Sequence, residues 1–194
     1  SQVVGKIHGT TLATNALIER RGAKVATVTT EGFRDILEIA YERRYSQYAI
    51  NIEKPDLIVP RQHAFTIAGR MNALGQELTP LDDSAVADLA KQLQAADIEA
   101  VAVCLMHAYA NPAHELQLRR LLKAYVPDMV ISLSHEVSPE AREFDRLCTT
   151  IANAYIQPVM ARYLADIQSR FLDEGLTCPI LMMTAGGGMT TIDT

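Results

Sequence analysis

Four short apolar runs, separated by stretches with helical periodicity, constrain this chain more than any other feature. They are "AKVATVTT", "IEAVAVCLM", "MVISLS" and "PILMMT". Runs of this length, apolar at successive positions rather than at alternate ones, suit strands buried on both faces of a sheet. Before and between them, apolar residues recur at helical spacing. Leu12, Ala13, Ala16 and Leu17 form one such set, Phe33, Ile36 and Leu37 a second, Val86, Leu89, Ala90 and Leu93 a third, and Leu118, Leu121, Leu122 and Tyr125 a fourth. The spacing predicts helices that bury these faces. A β-α-β-α-β series with short connections predicts an α/β fold, a mostly parallel sheet with covering helices.

Local signals set the expected boundaries. Thr10 and Thr11 open the first helix, and Gly22 is expected in the left-handed position that closes it. Thr30 is expected to cap a helix over "EGFRDILEIA", Asp82 to cap the third, and Asn111 with Pro112 to start the fourth. A long helix follows "HEVSPEAREFDR", in which Phe144, Leu147, Ile151 and Tyr155 align, and Pro158 is expected to kink or restart it. From Tyr41 to Pro80 the chain makes a loop-rich excursion with one strand in "HAFTIAGRM".

Composition narrows the class of function. The chain has 194 residues, 48% of them hydrophobic and 21% charged, enough for one sizeable core or for a domain plus part of another. No apolar run approaches the roughly 20 residues that span a bilayer, and no signal peptide opens the chain, so a soluble, cytoplasmic protein is expected, with no membrane partner. The net charge of −5 provides no basic stripe for phosphodiester backbones, which argues against nucleic acid. Cys104, Cys148 and Cys178 show no metal-ligand spacing, and Cys104 inside "AVAVCLM" is expected to be a buried, reduced thiol.

Three polar clusters fall at predicted strand ends, where open α/β sheets bind ligands. They are His8-Gly9-Thr10-Thr11, Thr29-Thr30, and Thr184 to Gly188, the last containing Gly186, Gly187 and Gly188. Backbone amides at glycine-rich turns and hydroxyls at helix starts suit anions. The same patterns also serve as plain turns and caps. Asn15 lies one turn beyond Thr11, and Asn153 stands in the same relation to Thr149. Glu136, Glu140, Glu143 and Asp145 beside Arg142 and Arg146 suit a solvated helix entrance, or else a carboxylate that orients water. His8 and His135 are candidate acid/base groups, although neither shows a partner in the sequence.

The segments "HGTTLATNALIERRGAKVATVTTEGFRDILEIAYERR", "KPDLIVPR", "AVAVCLMHAYANPAHE", "SLSHEVSPEAREFDRLCTTIANAYIQPV" and "LMMTAGGGM" resemble, in order and spacing, the ATP-dependent hydantoinase and 5-oxoprolinase family of hydantoinase A type. The resemblance implies a fragment of an actin-like, ribonuclease-H-like ATPase fold. Residues 1–137 would be the remainder of the N-terminal hydantoinase/oxoprolinase region and residues 138–194 the start of the hydantoinase A region. It also implies ATP-driven opening of a hydantoin or 5-oxoproline-type ring by phosphorylation of the carbonyl, with ATP and Mg as cofactors of the full-length parent. The alternative is an ATP-binding subunit of an acetone/acetophenone carboxylase-like complex. On this reading His8, Thr10, Thr11 and Asn15 are the catalytic candidates, and Thr29, Thr30, Gly186, Gly187 and Gly188 the cofactor-binding ones. A hydantoinase B-type partner subunit is implied, and self-association is left open. Family members open with an Asp-x-Gly-Gly-Thr phosphate-binding hairpin that does not precede His8 here, so the chain is expected to be an excised piece, inactive alone. Many relatives carry Ser-Asn-Gly-Gly where this chain has Ala185 to Gly188, which leaves the substrate class open.

Overall fold

The computed structural model describes residues 6–41, 48, 50–51, 55–175, 178–183 and 188–191. In chain order the elements begin with β1 (Lys6–His8), α1 (Leu12–Ile18), β2 (Val25–Thr30), α2 (Ile36–Ile39), β3 (Ala64–Ile67), β4 (Arg70–Met71) and β5 (Glu77–Thr79). There follow α3 (Val86–Ala95), β6 (Ala100–Cys104), α4 (Ala113–Tyr125), β7 (Val130–Leu133), α5 (Ser134–Val137), α6 (Glu143–Asp173), β8 (Ile180–Met183) and β9 (Met189–Thr191). They divide into two compact units: Ala23–Tyr155, called the central unit below, and Ser1–Gly22 with Ile156–Thr194, the terminal unit.

The central unit is built on a four-stranded sheet of order β3-β2-β6-β7, with every neighbouring pair parallel. Alternate residues serve its two faces. Ala26, Val28, Val101, Val103 and Leu133 join Leu89, Leu93, Leu118 and Leu122 of α3 and α4 in one apolar core. The opposite face is smaller and more polar, with Thr27, Thr29, Ala102 and Ser132, and Asn153 of α6 donates to Ser132 Oγ at 3.0 Å. Covering on both faces explains why all six residues of "VATVTT" are buried. In the order of the chain the strands lie 2-1-3-4, so the connections reverse direction between β2 and β6, where a doubly wound sheet opens a crevice beyond its strand ends.

The terminal unit has its own three-stranded sheet, β1-β8-β9, with β1 and β8 parallel and β8 and β9 antiparallel. "PILMMT" therefore does not extend the sheet formed by the other three runs. β1, too short to show as a periodic segment, packs its side chains on α6: Lys6 Nζ lies 3.5 Å over the Phe171 ring.

Several local expectations need correction. Thr30 caps no helix; "EGFRD" turns on itself, α2 has only four residues, and Asp35 precedes it. The left-handed residue after α1 is Arg20, φ 57°, not Gly22. "HAFTIAGRM" breaks into β3 and β4 at Gly69, where the φ of 147° is one that side chains rarely adopt and an added Cβ would crowd Leu81 Cα at 3.0 Å. α6 runs through Pro158 without a restart. Tyr125 is 52% exposed, so the fourth helix buries Leu118 and Leu122 without it. The pair Asn111 and Pro112 acts as expected, with Asn111 Oδ1 accepting from the Ala113 N–H at 3.0 Å. Asp82 accepts from Ser84 N in the turn that leads into α3. No helix among the described residues is long and apolar enough to cross a membrane.

Candidate functional site

In the terminal unit β1 ends at His8, which pairs in register with Met182 of parallel β8. The loop from His8 to Thr11 and the chain beyond Met183 therefore leave the sheet at the same end. His8 is held: its Nε2 lies 2.8 Å from the Tyr163 hydroxyl, with the rings 5.7 Å apart. Thr10 does the capping, since its Oγ1 accepts from Leu12 N–H at 3.1 Å. Thr11 heads α1 without capping it, and its Oγ1 accepts from Asn15 Nδ2 at 3.4 Å on the exposed surface. The i, i+4 pairing expected of Thr11 and Asn15 is thus present, and it is not spent on holding the helix. What this strand end offers a ligand is two hydroxyls and an amide, neutral donors and acceptors suited to phosphoryl or carbonyl oxygens. Gly188 is exposed, while Gly186 and Gly187 lie outside the described residues.

In the central unit Thr29 and Thr30 are only 2% and 4% exposed. Thr30 Oγ1 accepts from Met106 N–H at 3.0 Å, joining the ends of β2 and β6 where the connections reverse. Thr29 Oγ1 and Arg146 Nε are the buried side-chain atoms without a hydrogen-bond partner among the described residues. Burial lets Thr29 and Thr30 shape the strand end, but not reach out of it.

Just beyond β6 the backbone of Leu105 is held on both sides by buried side chains. Its N–H donates to Glu115 Oε1 at 2.9 Å, and its carbonyl accepts from Arg146 NH2 at 2.9 Å. Glu115 and Arg146 are both fully buried. Glu115 also accepts from Ser134 Oγ at 2.6 Å and His135 N–H at 3.1 Å, and its Oε2 lies 2.7 Å from His135 Nδ1. Arg146 donates further to Glu140 O at 2.7 Å, and its guanidinium lies 5.5 Å from the Tyr109 ring centre. Next along the chain, His107 adopts a left-handed φ of 58°. These side chains hold the carboxyl edge of the sheet in one geometry.

His135 thus has the partner that the sequence did not show. Glu115 lies 20 positions away in the first turn of α4, where an acid is fully explained by the helix dipole, so nothing in "PAHE" marked it. Arg146 was hidden among flanking acids in a segment that suits a solvated helix entrance. Glu136 of that group does lie at the surface, paired with Arg119 at 2.8 Å. Thr149 and Asn153 separate: Thr149 is exposed and bonds the Asp145 carbonyl, whereas Asn153 turns to Ser132.

Cys104 lies beside this cluster, and burial pushes its thiol up to about 11, with nearby Arg146 opposing the shift. At pH 8 a thiol of that acidity is thiolate in about one molecule in a thousand. Ellman's reagent is therefore expected to leave Cys104 unmodified in the native chain at pH 8 and to titrate it once guanidinium unfolds the protein. Fast labelling of Cys104 in the native state, located by peptide mass, would contradict its burial.

Comparison with known proteins gives this geometry its context. Residues 1–126 match the model of the hydantoinase/oxoprolinase N-terminal region, and residues 146–194 match that of hydantoinase/oxoprolinase. The chain belongs to the hydantoinase/oxoprolinase family. It is 35% identical to caprolactamase subunit alpha of Pseudomonas jessenii over 94% of its length, which is 27% of that subunit. With 5-oxoprolinase 1 of Arabidopsis thaliana it shares 30% identity over 93% of the chain and 16% of the relative, and with the acetophenone carboxylase gamma subunit of Aromatoleum aromaticum 25% over 95% and 27%. The crystal structure of the ATP-dependent caprolactamase from Pseudomonas jessenii superposes with a TM-score of 0.86, covering 94% of this chain and 27% of that one. The nucleotide-free structure of acetone carboxylase, 23% identical, superposes with a TM-score of 0.83 over 97% of this chain and 28% of that one, and shares the fold. The chain thus spans 16% to 28% of the length of these relatives. The α/β class expected from the apolar runs, with mostly parallel sheets and covering helices, is the class found, and the likeness to caprolactamase and acetone carboxylase is in keeping with part of an actin-like ATPase fold.

Proposed function

We propose that this hydantoinase/oxoprolinase chain is part of an ATP-dependent cyclic amidohydrolase, in which a phosphoryl group passes from ATP to the carbonyl oxygen of a hydantoin, 5-oxoproline or related lactam ring and makes its carbon susceptible to water. The observation that carries this reading is the structural likeness to an ATP-dependent caprolactamase, with residues 8–15 forming a polar strand end inside the region that matches the family's N-terminal model. Thr10, Thr11 and Asn15 would hydrogen-bond the phosphoryl or ring oxygens, and His8, fixed by Tyr163, would border them. Gly186 to Gly188 are proposed to supply backbone amides to the nucleotide, and Thr29 and Thr30 to act indirectly by holding the end of β2. ATP supplies the phosphoryl group that turns a poor electrophile into a good one, and the neutral donors on α1 fit its oxygens. Mg is proposed to accompany ATP in the full-length parent, held largely by the nucleotide's phosphates with at most one or two carboxylates.

The family regions are proposed to meet at about residue 137, and a hydantoinase B-type subunit is the proposed partner, a proposal supported by the subunit names of the caprolactamase and carboxylase relatives. The test uses the full-length parent with that partner. ATP hydrolysis coupled to ring opening of hydantoin, 5-oxoproline or caprolactam is the expected result. The likeness to the acetophenone carboxylase gamma subunit supports a second reading, which ATP turnover only with a ketone and bicarbonate would favour.

A further inference from the structure

Of the two ring nitrogens of His8, one is already committed. Side chains alternate along β1, so Ile7, 60% exposed, faces away from α6, while Lys6 and His8 turn toward it, Lys6 onto Phe171 and His8 onto Tyr163. The Nε2 of His8 lies 2.8 Å from the hydroxyl of half-buried Tyr163. That distance is compatible with either direction of the bond, and the intrinsic chemistry of the two groups decides between them. A phenol O–H is a stronger acid than an imidazole N–H, and a bare imidazole nitrogen is a far stronger base than a phenol oxygen. Tyr163 is therefore the favoured donor and Nε2 the acceptor, which places the proton of the neutral ring on Nδ1. That nitrogen makes no hydrogen bond among the described residues. Covalent geometry keeps Nδ1 close to the chain at residue 8, and at the next residue, exposed Gly9, no atom lies within 4 Å of where a Cβ would stand. The space at the end of this parallel strand is open, and a ligand oxygen there would meet a donor on a ring already held in place. His8, Gly9, Tyr163 and the stretch from Thr10 to Asn15 all belong to the terminal unit.

We propose that Nδ1 of His8 donates a hydrogen bond to an oxygen of the phosphoryl group or of the ring amide, with Tyr163 as its positioning residue. The proposal rests on the hydrolase reading given above and assigns that reading one atom. Tyr163 occupies Nε2, so the ligand meets Nδ1 alone, and it fixes the ring plane before the ligand arrives. No proton leaves either residue. The histidine supplies a hydrogen bond and ends the reaction as it began.

The experiment reads ring-opening turnover in the full-length parent. Asparagine at position 8 puts an amide nitrogen near the place of Nδ1, and glutamine puts one near the place of Nε2. His8→Asn is expected to lose about tenfold, because it keeps the donor and loses the bond to Tyr163. His8→Gln is expected to lose at least about a hundredfold, because it keeps that bond and loses the donor. A loss in kcat at unchanged KM for the ring amide places the donor on the phosphoryl group, and a rise in that KM places it on the ring oxygen. Tyr163→Phe is expected to cost about tenfold in the wild-type background and less than about twofold in His8→Gln, where no Nδ1 remains to be positioned. A tyrosine that only packed β1 against α6 would cost the same in both. Nitrogen NMR of histidine-labelled wild type at about pH 8.5, where imidazole is ordinarily neutral, is expected to show Nδ1 protonated and Nε2 bare, the His8 signals being those missing from His8→Gln. Higher turnover in His8→Gln than in His8→Asn, an equal cost of Tyr163→Phe in both backgrounds, or a proton on Nε2 with Nδ1 bare would each overturn the proposal and leave the hydrolase reading standing. A wild-type parent that opens no ring amide would overturn both.

Discussion

Glu115→Ala is expected to lower the stability of the central unit by about 4 kcal/mol, within the roughly 3–5 kcal/mol seen when one member of a buried charged network is removed. The alanine leaves three donors unserved, the N–H groups of Leu105 and His135 and the Ser134 hydroxyl, and takes away the partner of the His135 ring. Each buried group left without a partner costs about 1–3 kcal/mol, offset in part by relaxation and by any water that enters. Domains of this size have only about 5–15 kcal/mol in total, so the variant sits close to unfolding. Urea denaturation followed by far-ultraviolet circular dichroism checks this, with a lower midpoint and an unchanged slope expected. Arg146→Met should cost less, because the lost donors leave two backbone carbonyls, which tolerate being unpaired better than N–H groups do. The double variant is expected to be less damaging than the sum, since both charges act on the Leu105 peptide and each removal leaves the other uncompensated. Strict additivity would mean that the two charges are independent.

The second large effect is on turnover. Thr10→Ala and Thr11→Ala in the full-length parent are each expected to lower the ring-opening rate by at least about tenfold, a loss of about 1.4 kcal/mol in the transition state. The structure separates the two. Thr10 caps α1 through Leu12 N–H, so its loss is also expected to cost about 1 kcal/mol of stability. Thr11 makes no capping bond, so Thr11→Ala should keep the wild-type melting temperature while turnover falls. Wild-type rates in Thr11→Ala would remove this residue from the proposed chemistry.

The central sheet was legible in the sequence because burial on both faces leaves strands with no charged position, and "VATVTT" and "AVAVC" show it. The terminal sheet was half legible. β8 is an apolar run, but β1 is three residues with only its pairing to identify it, and pairing is not a local property. Helix faces emerged where the period was long, as in α3, and failed where turn chemistry decided, as at Thr30 and Arg20. The polar strand end at Thr10, Thr11 and Asn15 was visible because its residues are neighbours in sequence. The Glu115, His135 and Arg146 cluster was not, because it is assembled from α4, α5 and α6 and each member has an ordinary local explanation.

The strand order of the central sheet also has a consequence during synthesis. β2 is the first of its two inner strands to be made, yet it pairs with β3, which begins at Ala64, and with β6, which begins at Ala100. At about 5–20 residues per second, the ribosome takes roughly 4–15 s after β2 to deliver its second neighbour. Through that interval "VATVTT" has at least one open edge and lacks α4 and α6, and the acceptors of Glu115 wait longer still, for Ser134 and His135. A nascent chain arrested before residue 134 should therefore be captured by a holdase chaperone and should lose that contact once α5 has emerged.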